Sequence, residues 1–387
     1  MRVGIVGAGI AGASLAEKLA RLGHEVLLFD HRAPWEKPCG GGVTPRALDD
    51  YPGLLELPLS RREIREVVFI GPTGRRTVLA MPRAWHTVSR RELAQVLLER
   101  AEAAGATFLR RRVQRISESS GFQIETAAEN FQVDFLVGAD GATGLTRRSL
   151  VGKWNRDDLC RCYGFLLPGP VDLRLVIRFY SDLMGYAWLF PRPGQLFSAG
   201  IAASGSRLGR EELVQRLCRL IEAELISSGH PVPSFPKPYA ALLPSLSAQS
   251  FASPRVAGRN WALVGDASGA VDPVTGEGIS YAFKTAKLLA EAIAEDQGRS
   301  YPERWQEMVR LGIGHAGAHC WRERFYDPKV LWLYSLVLQR SGQVQELTRD
   351  LFSGRQSYHD LKPRVLHAIP QVLLETLLSL FTHRAPP

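Results

Sequence analysis

Three glycine-marked segments, far apart in the chain, contain the residues best suited to bind a phosphate-bearing ligand. They are Gly7–Gly12 at the start, Gly138–Ala142 near the middle and Gly265–Gly278 in the second half. Glycine lets a backbone approach phosphate groups closely, and a carboxylate that follows a buried strand can accept hydrogen bonds from sugar hydroxyls. Together the segments indicate one long ligand that carries both phosphates and hydroxyl groups.

The first segment has the pattern of a dinucleotide-binding turn. Gly7 permits the tight turn from strand to helix, Gly9 admits the pyrophosphate, and Gly12 lets the helix pack closely on the strand. The helix predicted over 10–22, with Ala11 in its first turn, offers free N–H groups to the phosphates. Asp30, at the end of the next strand, would bind the adenosine ribose. This segment alone does not separate NAD from FAD.

The third segment makes that distinction. Asp266 follows a buried strand and could accept a hydrogen bond from a ribityl hydroxyl, and Pro273 shapes the next turn. A long helix then begins, and its positive end could face the pyrimidine edge of a flavin, where reduction adds negative charge. The cofactor-binding residues predicted here are Gly265, Asp266, Pro273, Gly276, Gly278 and Ile279. The predicted cofactor is therefore FAD.

Two further elements have a functional and a structural interpretation. Asp140 and Gly141 lie in a turn that would pack beside the pyrophosphate, or that only connects two elements. Arg90 begins an amphipathic helix and could bind the pyrophosphate with two hydrogen bonds, or simply be solvated. Both interpretations stay open for each element.

The surrounding pattern predicts an α/β fold: a Rossmann-like FAD-binding domain with an inserted antiparallel-sheet substrate domain and a helical C-terminal region. A hairpin is predicted with strands at 67–70 and 76–81, a further strand at 171–180 and a helix at 210–227. The FAD-binding domain is assigned to 1–60, 85–158 and 255–300, the substrate domain to 61–84 and 159–254, and the helical region to 301–387.

As a set, Gly7–Gly12, Arg90, Gly138–Gly141 and Gly265–Gly278 resemble the flavoprotein group that includes p-hydroxybenzoate hydroxylase, the flavin halogenases and the geranylgeranyl reductases. Two more motifs resemble the geranylgeranyl reductases in particular. Pro38–Gly42 is similar to their cysteine-glycine loop, which lies against the flavin, and Tyr186–Pro191 to their Tyr-x-Trp-x-Phe-Pro strand, which lines the lipid pocket. Leu183 stands where the family usually has proline, so the turn before this strand is expected to differ.

The resemblance implies FAD, hydrogenation of isolated C=C bonds in isoprenoid chains, and association with membrane lipids. It places Cys39, Gly40 and Gly41 beside the flavin. From the residues alone, Cys39 could be a proton donor, a redox partner or a small apolar side chain. Tyr186 and Trp188 alternate along a strand and share one face, which lines either a core or a pocket.

The chemistry assigns catalytic roles to these three residues. An unactivated alkene needs a hydride on one carbon and a proton on the other. Aromatic faces attract positive charge, so Tyr186 and Trp188 would stabilise a cation-like transition state, and Cys39 would lie where the proton is delivered.

An alternative is an FAD-dependent aromatic monooxygenase or halogenase, which shares the cofactor fold, and a third is a flavin-bound sensor or scaffold. The two geranylgeranyl-reductase motifs favour the reductase. No second nucleotide-binding fingerprint is visible, so the electron donor is expected to be NAD(P)H that binds transiently or a small redox protein.

Composition limits the partners. The 387-residue chain has a net charge of +9, which suits a solvated surface or attraction to an anionic partner such as a membrane, and it has no pattern typical of nucleic-acid recognition. The apolar pattern of 365–381 predicts a helix that caps a core or lies on a membrane. We expect a lipophilic isoprenoid substrate and a cytoplasmic location, with contact at the inner membrane face. His315 and His319 lack a third ligand, so no metal site is predicted.

Overall fold

The computed structural model describes residues 1–205, 207–247, 250–251, 255–308 and 322–381. His315 and His319, considered above as metal ligands, lie outside these residues. None of the helices within the described ranges is long and apolar enough to cross a membrane.

The described chain forms strands that belong to three sheets. In chain order they are β1 (Arg2–Val6), β2 (Glu25–Phe29), β3 (Gly42–Val43), β4 (Arg61–Ile70), β5 (Arg76–Val88), β6 (Thr107–Leu109), β7 (Val113–Glu118), β8 (Phe122–Thr126), β9 (Asn130–Val133), β10 (Phe135–Gly138), β11 (Leu159–Pro168), β12 (Leu175–Phe179), β13 (Met184–Arg192), β14 (Leu196–Ser204), β15 (Tyr239–Pro244), β16 (Ala257–Gly258) and β17 (Trp261–Leu263).

The helices lie between and after these strands. In chain order they are α1 (Ile10–Arg21), α2 (Pro45–Asp50), α3 (Arg90–Ala103), α4 (Leu145–Leu150), α5 (Arg210–Ser227), α6 (Ile279–Asp296), α7 (Tyr301–Met308), α8 (Pro328–Leu338), α9 (Gly342–Ser353) and α10 (Leu361–Phe381). Single 3-10 turns occur at Leu54–Glu56, Arg156–Asp158 and Gly265–Ser268.

The first sheet has the order β16-β17-β10-β1-β2-β6, and its strands from β17 to β6 are parallel. Its central strands are buried because α1, α3 and α6 cover it with apolar side chains such as Leu15, Leu97 and Leu289. These helices lie on one face of the sheet. Parallel strands with a glycine turn after the first strand are typical of a dinucleotide-binding domain. The small antiparallel sheet β7-β8-β9 packs against the same domain.

The second sheet has the order β15-β11-β14-β13-β12-β4-β5-β3. All its neighbouring strands are antiparallel except the parallel pair β12 and β4. One face packs on α5 through Leu213, Leu217 and Ile221. The other face packs on the C-terminal helices through Leu331 and Phe352. The predicted fold class, with a Rossmann-like domain, an antiparallel sheet and C-terminal helices, is confirmed.

Three predicted strands have different bounds in the structure. β4, predicted at 67–70, begins at Arg61. β5, predicted to end at Met81, runs on to Val88. The reason is a register shift between Ile64 and Glu66 of β4, which places Pro82 in a bulge where its missing N–H costs no ladder hydrogen bond. β12 begins at Leu175 rather than Val171, because the residues after Pro170 form a turn.

The sheet register brings the three glycine segments together. Val6 pairs with Gly138, and Gly138 pairs with Leu263, so β1, β10 and β17 end at the same edge of the first sheet. The loops that follow these strands are the three segments. Ligands of open α/β sheets bind at this carboxyl edge.

Two glycines of the first segment are required by the packing of its turn. Gly7 has a φ of +105°, and a Cβ there would lie 2.4 Å from the Ala139 carbonyl oxygen. A Cβ on Gly12 would lie 1.8 Å from the Gly7 carbonyl oxygen. Gly9 is different, because nothing lies within 4 Å of its Cβ position. We conclude that Gly7 and Gly12 shape the turn, whereas Gly9 borders open space.

This difference gives a stability prediction. Gly12→Ala should destabilise the protein by about 2 kcal/mol or more, since the turn must shift to relieve a backbone clash. Gly9→Ala should change the unfolding free energy by less than about 1 kcal/mol. Urea unfolding of both variants without added cofactor tests this. Equal losses in the two variants would contradict the distinction.

Candidate functional site

A cavity of about 230 Å³ lies between the carboxyl edge of the first sheet and one face of the second. Most of the predicted site residues line it: Gly9, Ala11, Cys39, Gly40, Arg90, Gly141, Tyr186, Trp188, Gly265, Asp266, Pro273, Gly276, Gly278 and Ile279. Gly7, Gly12, Asp30, Gly41 and Asp140 are not among the lining residues. The tertiary structure therefore gathers residues from six separate parts of the chain around one space.

Two of the predicted carboxylates form local hydrogen bonds that shape the turns behind this lining. Asp30 accepts from the backbone N–H groups of Ala8 at 3.0 Å and Arg32 at 2.8 Å. Asp140 accepts from the Thr146 backbone N–H at 2.9 Å and from its hydroxyl at 3.1 Å. Burial raises the pKa of Asp140. Asp140 therefore supports the start of α4 through Oδ2, whereas Oδ1 is buried without a hydrogen-bond partner. Its role toward the cofactor stays a prediction.

Asp266 lies in the cavity wall and forms an ion pair. The Lys37 ammonium donates to its carboxylate at 2.6 Å. Burial would raise the pKa of Asp266, but the Lys37 charge outweighs burial, so the pKa lies below its ordinary value. The carboxylate therefore stays ionised and keeps acceptor capacity toward the cavity.

Cys39 lies at the junction of the two sheets, half-buried and beside Arg90. Its Sγ accepts from the Gly41 backbone N–H at 3.3 Å. Burial would raise the pKa of the thiol, but the positive charges of Arg90 and Lys37 and the Gly41 N–H outweigh it and lower the pKa. Nε of Arg90 is buried without a hydrogen-bond partner. The pair thus combines a thiol of increased acidity with a guanidinium that has unused donor capacity.

A buried ion pair holds the cysteine-glycine loop in place. The Arg192 guanidinium, on β13, donates to Glu36 at 2.7 Å and to the Gly40 carbonyl at 3.1 Å. Glu36 also accepts from the Ser89 hydroxyl at 2.7 Å and from the backbone N–H of Arg90 at 3.1 Å. Arg192 therefore connects the second sheet to the loop, and Glu36 connects the loop to the start of α3.

The cavity face of the second sheet follows from strand alternation. On β13 the cavity-lining residues Met184, Tyr186, Trp188 and Phe190 alternate with buried residues of the opposite face. Ile177 of β12 pairs with Trp188 of β13. Further lining residues are Cys160, Cys162, Trp85, Tyr326 and Phe352. This wall is largely apolar and aromatic.

Tyr186 and Trp188 contribute differently to that wall. The Tyr186 hydroxyl donates to the Thr275 carbonyl, and burial raises the pKa of this phenol. The two rings meet edge to face with centroids 5.9 Å apart. The Trp188 Nε1 is buried and has no acceptor among the described residues. Tyr186 is thus held against the segment that precedes α6, whereas Trp188 presents a free indole edge.

Glu277 was not predicted as a site residue. It lines the cavity at the start of α6, where one carboxylate oxygen accepts from the Ser280 N–H at 2.8 Å and the other has no hydrogen-bond partner. Burial, with smaller contributions from Asp272 and Asp50, raises the pKa of Glu277 to about 7. A group that titrates near neutrality is therefore located beside the predicted flavin position.

Sequence reasoning also missed Glu36, Lys37, Arg192 and Arg322. Glu36 and Lys37 immediately precede the cysteine-glycine loop, and this proximity was the only signal available. Arg192 and Arg322 act across long sequence separations, to Glu36 and to Ser245. No rule based on sequence spacing predicts that residues so far apart in the chain will meet.

Comparison with known proteins gives the family. Residues 1–157 match the model of an FAD binding domain. A menaquinone reductase of Mycobacterium tuberculosis is 32% identical over 340 residues, which cover 77% of this chain and 78% of that protein. A geranylgeranyl diphosphate reductase of Synechocystis is 27% identical over 335 residues, covering 76% and 75%. The chain belongs to the geranylgeranyl reductase-like family of FAD-dependent oxidoreductases.

Solved structures share the fold of this family member. A geranylgeranyl bacteriochlorophyll reductase-like protein of Thermoplasma acidophilum has a TM-score of 0.74 at 19% identity and covers 98% of each chain. A flavin-dependent brominase has a TM-score of 0.72 at 16% identity, covering 96% of this chain and 100% of its own. These similarities show the fold, which is common to both reaction types. The sequence-based resemblance and the prediction of FAD are confirmed.

The cavity has the features that an FAD site needs. Helices α1 and α6 begin at its wall. No side chain caps the free N–H groups of α1, and at the start of α6 the Glu277 carboxylate accepts from one of them, the Ser280 N–H. Open space borders Gly9, and Arg90 Nε lacks a partner. Helix N-termini and an arginine with free donors suit a pyrophosphate. The residues present therefore fit the cofactor.

The ion pair at the loop gives a pH prediction. Burial would raise the pKa of Glu36, but Arg192 and its hydrogen-bond donors lower it below the ordinary value of 4.5. A depressed folded-state pKa means that the stabilisation is present above pH 4.5 and is lost as the pH falls through the folded pKa. Arg192→Met should therefore cost about 2–3 kcal/mol of unfolding free energy near neutral pH, and less in acid.

Urea unfolding of wild type and variant at both pH values measures this difference. Arg83→Met provides the control, because its ion pair with Asp49 is exposed and should contribute less than about 1 kcal/mol. A difference for Arg192→Met that does not shrink in acid would argue against the assignment to Glu36.

Proposed function

We propose that this FAD-dependent oxidoreductase reduces isolated C=C bonds of a polyisoprenoid chain, of the geranylgeranyl type, by hydride transfer from reduced FAD. The main support is that the cofactor cavity continues, without a break, along the apolar aromatic face of the second sheet. An extended hydrocarbon chain gains stability there from apolar burial. The similarity to reductases that act on menaquinone and on geranylgeranyl diphosphate points to the same class of substrate.

We assign the cofactor contacts from the placement of the lining residues. Gly9, Ala11 and the start of α1 would hold the pyrophosphate, with Arg90 as a second donor. Asp266 would accept from the ribityl chain, exchanging its bond to Lys37 for one to the cofactor. Pro273, Gly276, Gly278 and Ile279 would border the flavin ring at the start of α6, where the helix dipole favours negative charge.

When bound, reduced FAD supplies the hydride that adds to one alkene carbon. The Cys39 Sγ would deliver the proton to the other carbon, since Cys39 lines the cavity together with the cofactor segments and the aromatic wall. Its lowered pKa makes it a stronger acid than an ordinary thiol. The Arg90 guanidinium and the Gly41 N–H would stabilise the thiolate until solvent returns the proton. The alkene thus gains two hydrogens.

The aromatic wall would stabilise the positive charge that develops as the alkene is protonated. Tyr186 and Trp188 present ring faces and edges at fixed angles, held by the Tyr186–Thr275 hydrogen bond. Cation–π attraction contributes about 2 kcal/mol when the cation is desolvated. NAD(P)H or a small redox protein would supply the electrons for the next turnover.

The reaction class can be tested anaerobically. The purified protein is reduced with dithionite, mixed with polyprenyl substrates, and followed by flavin reoxidation and product mass. We expect reoxidation that depends on substrate and products heavier by two hydrogens or a multiple of two. Reoxidation that needs oxygen, with a hydroxylated or halogenated product, would instead identify the monooxygenase or halogenase reaction.

The proton-donor role predicts a specific kinetic loss. Cys39→Ala should slow substrate-dependent flavin reoxidation by about 100-fold or more, because positioned general acids contribute this much. Trp188→Phe should slow it by about tenfold. Cys218→Ala, a half-buried cysteine on α5, is the control and should retain the wild-type rate. Wild-type rates in both Cys39→Ala and Trp188→Phe would exclude the catalytic assignment.

We also propose that α10 contacts an anionic membrane surface. Val365, Ala368 and Val372 are half-buried on its inner side, whereas Leu366, Leu373 and Leu377 are each more than half exposed. Such a row of exposed leucines is unusual for a surface in water, and the net charge of +9 suits anionic lipid. A lipid substrate would then enter from the bilayer.

Vesicle co-sedimentation tests this contact. The paired change Leu373→Glu and Leu377→Glu should reduce binding to anionic vesicles by about tenfold or more, because two apolar side chains no longer insert. Val171→Glu, at an exposed site before β12, should bind as wild type does. Unchanged binding in the paired variant would refute the assignment of α10.

A further inference from the structure

The cavity ends in a polar cluster that the proposed reaction does not use. Ser204 of β14, Ser245 after β15 and Arg322 before α8 all line the cavity. The two hydroxyls lie 2.9 Å apart, and Arg322 donates to the Ser245 hydroxyl at 2.8 Å. Cys160 pairs with Ser204 across the strands. The cluster is therefore a compact set of polar groups at the end of an apolar wall.

The distance between this polar cluster and Cys39 can be estimated along strand β14. The Ser198 hydroxyl donates to the Cys39 carbonyl at 2.9 Å, and Ser198 and Ser204 lie on the same face of β14. An extended strand rises ~3.3 Å per residue, so the cluster lies about 20 Å from the Cys39 loop. The aromatic wall of Tyr186 and Trp188 occupies the interval, because these residues pair with Ala202 and Gly200.

The Arg322 guanidinium has donors left over. Nη1 donates to the Ser245 carbonyl at 2.9 Å, to its hydroxyl, and to the Leu246 carbonyl at 3.3 Å. Nε is buried and has no acceptor, and Nη2 has none either among the described residues. Arg322 is only 6% exposed. Hydrogen bonds within the protein therefore hold Nη1, whereas Nε and Nη2 are available to an acceptor on a ligand.

The charge of this guanidinium is only partly balanced. In the described ranges no carboxylate forms an ion pair with Arg322, although Glu323 and Asp158 lie near enough to raise its pKa. Burial outweighs both carboxylates and lowers the pKa of Arg322. An oxygen acceptor from a ligand would satisfy the free donors.

We infer that this cluster binds the head group of the substrate, and that the head group is an uncharged one with carbonyl oxygens, as in an isoprenoid quinone. This inference rests on the proposed function and specifies its substrate class. A diphosphate carries several negative charges at neutral pH, and a single buried guanidinium would leave most of them uncompensated. A carbonyl accepts from Nε and Nη2 without that cost, while the isoprenoid tail lies along the aromatic wall toward Cys39.

The test compares two probes, an isoprenoid naphthoquinone in detergent micelles and geranylgeranyl diphosphate. Arg322→Gln should raise KM for the quinone by about tenfold or more, as expected for a lost charge-assisted hydrogen bond, with kcat within about twofold. KM for the diphosphate should not change. Arg322→Lys keeps the charge but loses the fork and should fall between wild type and Arg322→Gln.

Arg324→Gln, two residues away and exposed, is the matched control and should behave as wild type does. If Arg322→Gln purifies without flavin, the test uses Arg322→Lys instead, which should raise KM for the quinone and leave KM for the diphosphate unchanged. An unchanged quinone KM, an equal effect on both probes, or an effect on the diphosphate alone would overturn the inference. Perturbation of the oxidised flavin spectrum measures quinone binding without turnover. If Arg322→Gln binds the quinone as tightly as wild type does, the head-group inference is refuted whether or not the proposed reaction is correct.

Discussion

The buried ion pair between Glu36 and Arg192 is the interaction on which the site depends most. Arg192 belongs to the second sheet, and Glu36 belongs to the loop that leaves the first. The same guanidinium donates to the Gly40 carbonyl, and a Cβ on Gly41 would lie 2.1 Å from it. The loop that carries Cys39 can therefore take this path only when both sheets are in place.

This attachment explains why the two sheets form one functional unit. The first sheet provides helix N-termini and glycines that suit the phosphates and flavin of FAD, and the second provides an apolar aromatic wall. Cys39 lies where the two meet, beside the Arg90 guanidinium, and Tyr186 bonds across the junction to Thr275. Residues that would act on opposite ends of one alkene are thus held by contacts between the sheets rather than within either.

Charge is distributed unevenly along the cavity. Near the cofactor segments, Lys37 and Asp266 form a pair, and Glu277 has its pKa raised to about 7 by burial. The side chains of the aromatic wall are uncharged, and Arg322 carries a positive charge at the far end of the wall. Under the proposed function, a ligand that is apolar in the middle and polar at its ends would match this distribution.

The sequence by itself determined the cofactor domain, because its signals are local. Gly7–Gly12 shows its strand-turn-helix context directly, and the alternation of Tyr186 and Trp188 places both on one face. The sequence does not show that the Asp140 carboxylate bonds to Thr146, and it ends β5 at Met81 because a bulge cannot be recognised from one strand alone.

Only the tertiary structure decided which polar groups meet. Lys37 reaches Asp266, Arg192 reaches Glu36, and Arg322 reaches Ser245 across long stretches of chain. Such contacts are set by strand order and register, which bring distant residues to one edge, and no local pattern records them. The physical reason is that glycine turns and strand faces are properties of neighbouring residues, whereas a buried charge finds its partner only when the sheets pack.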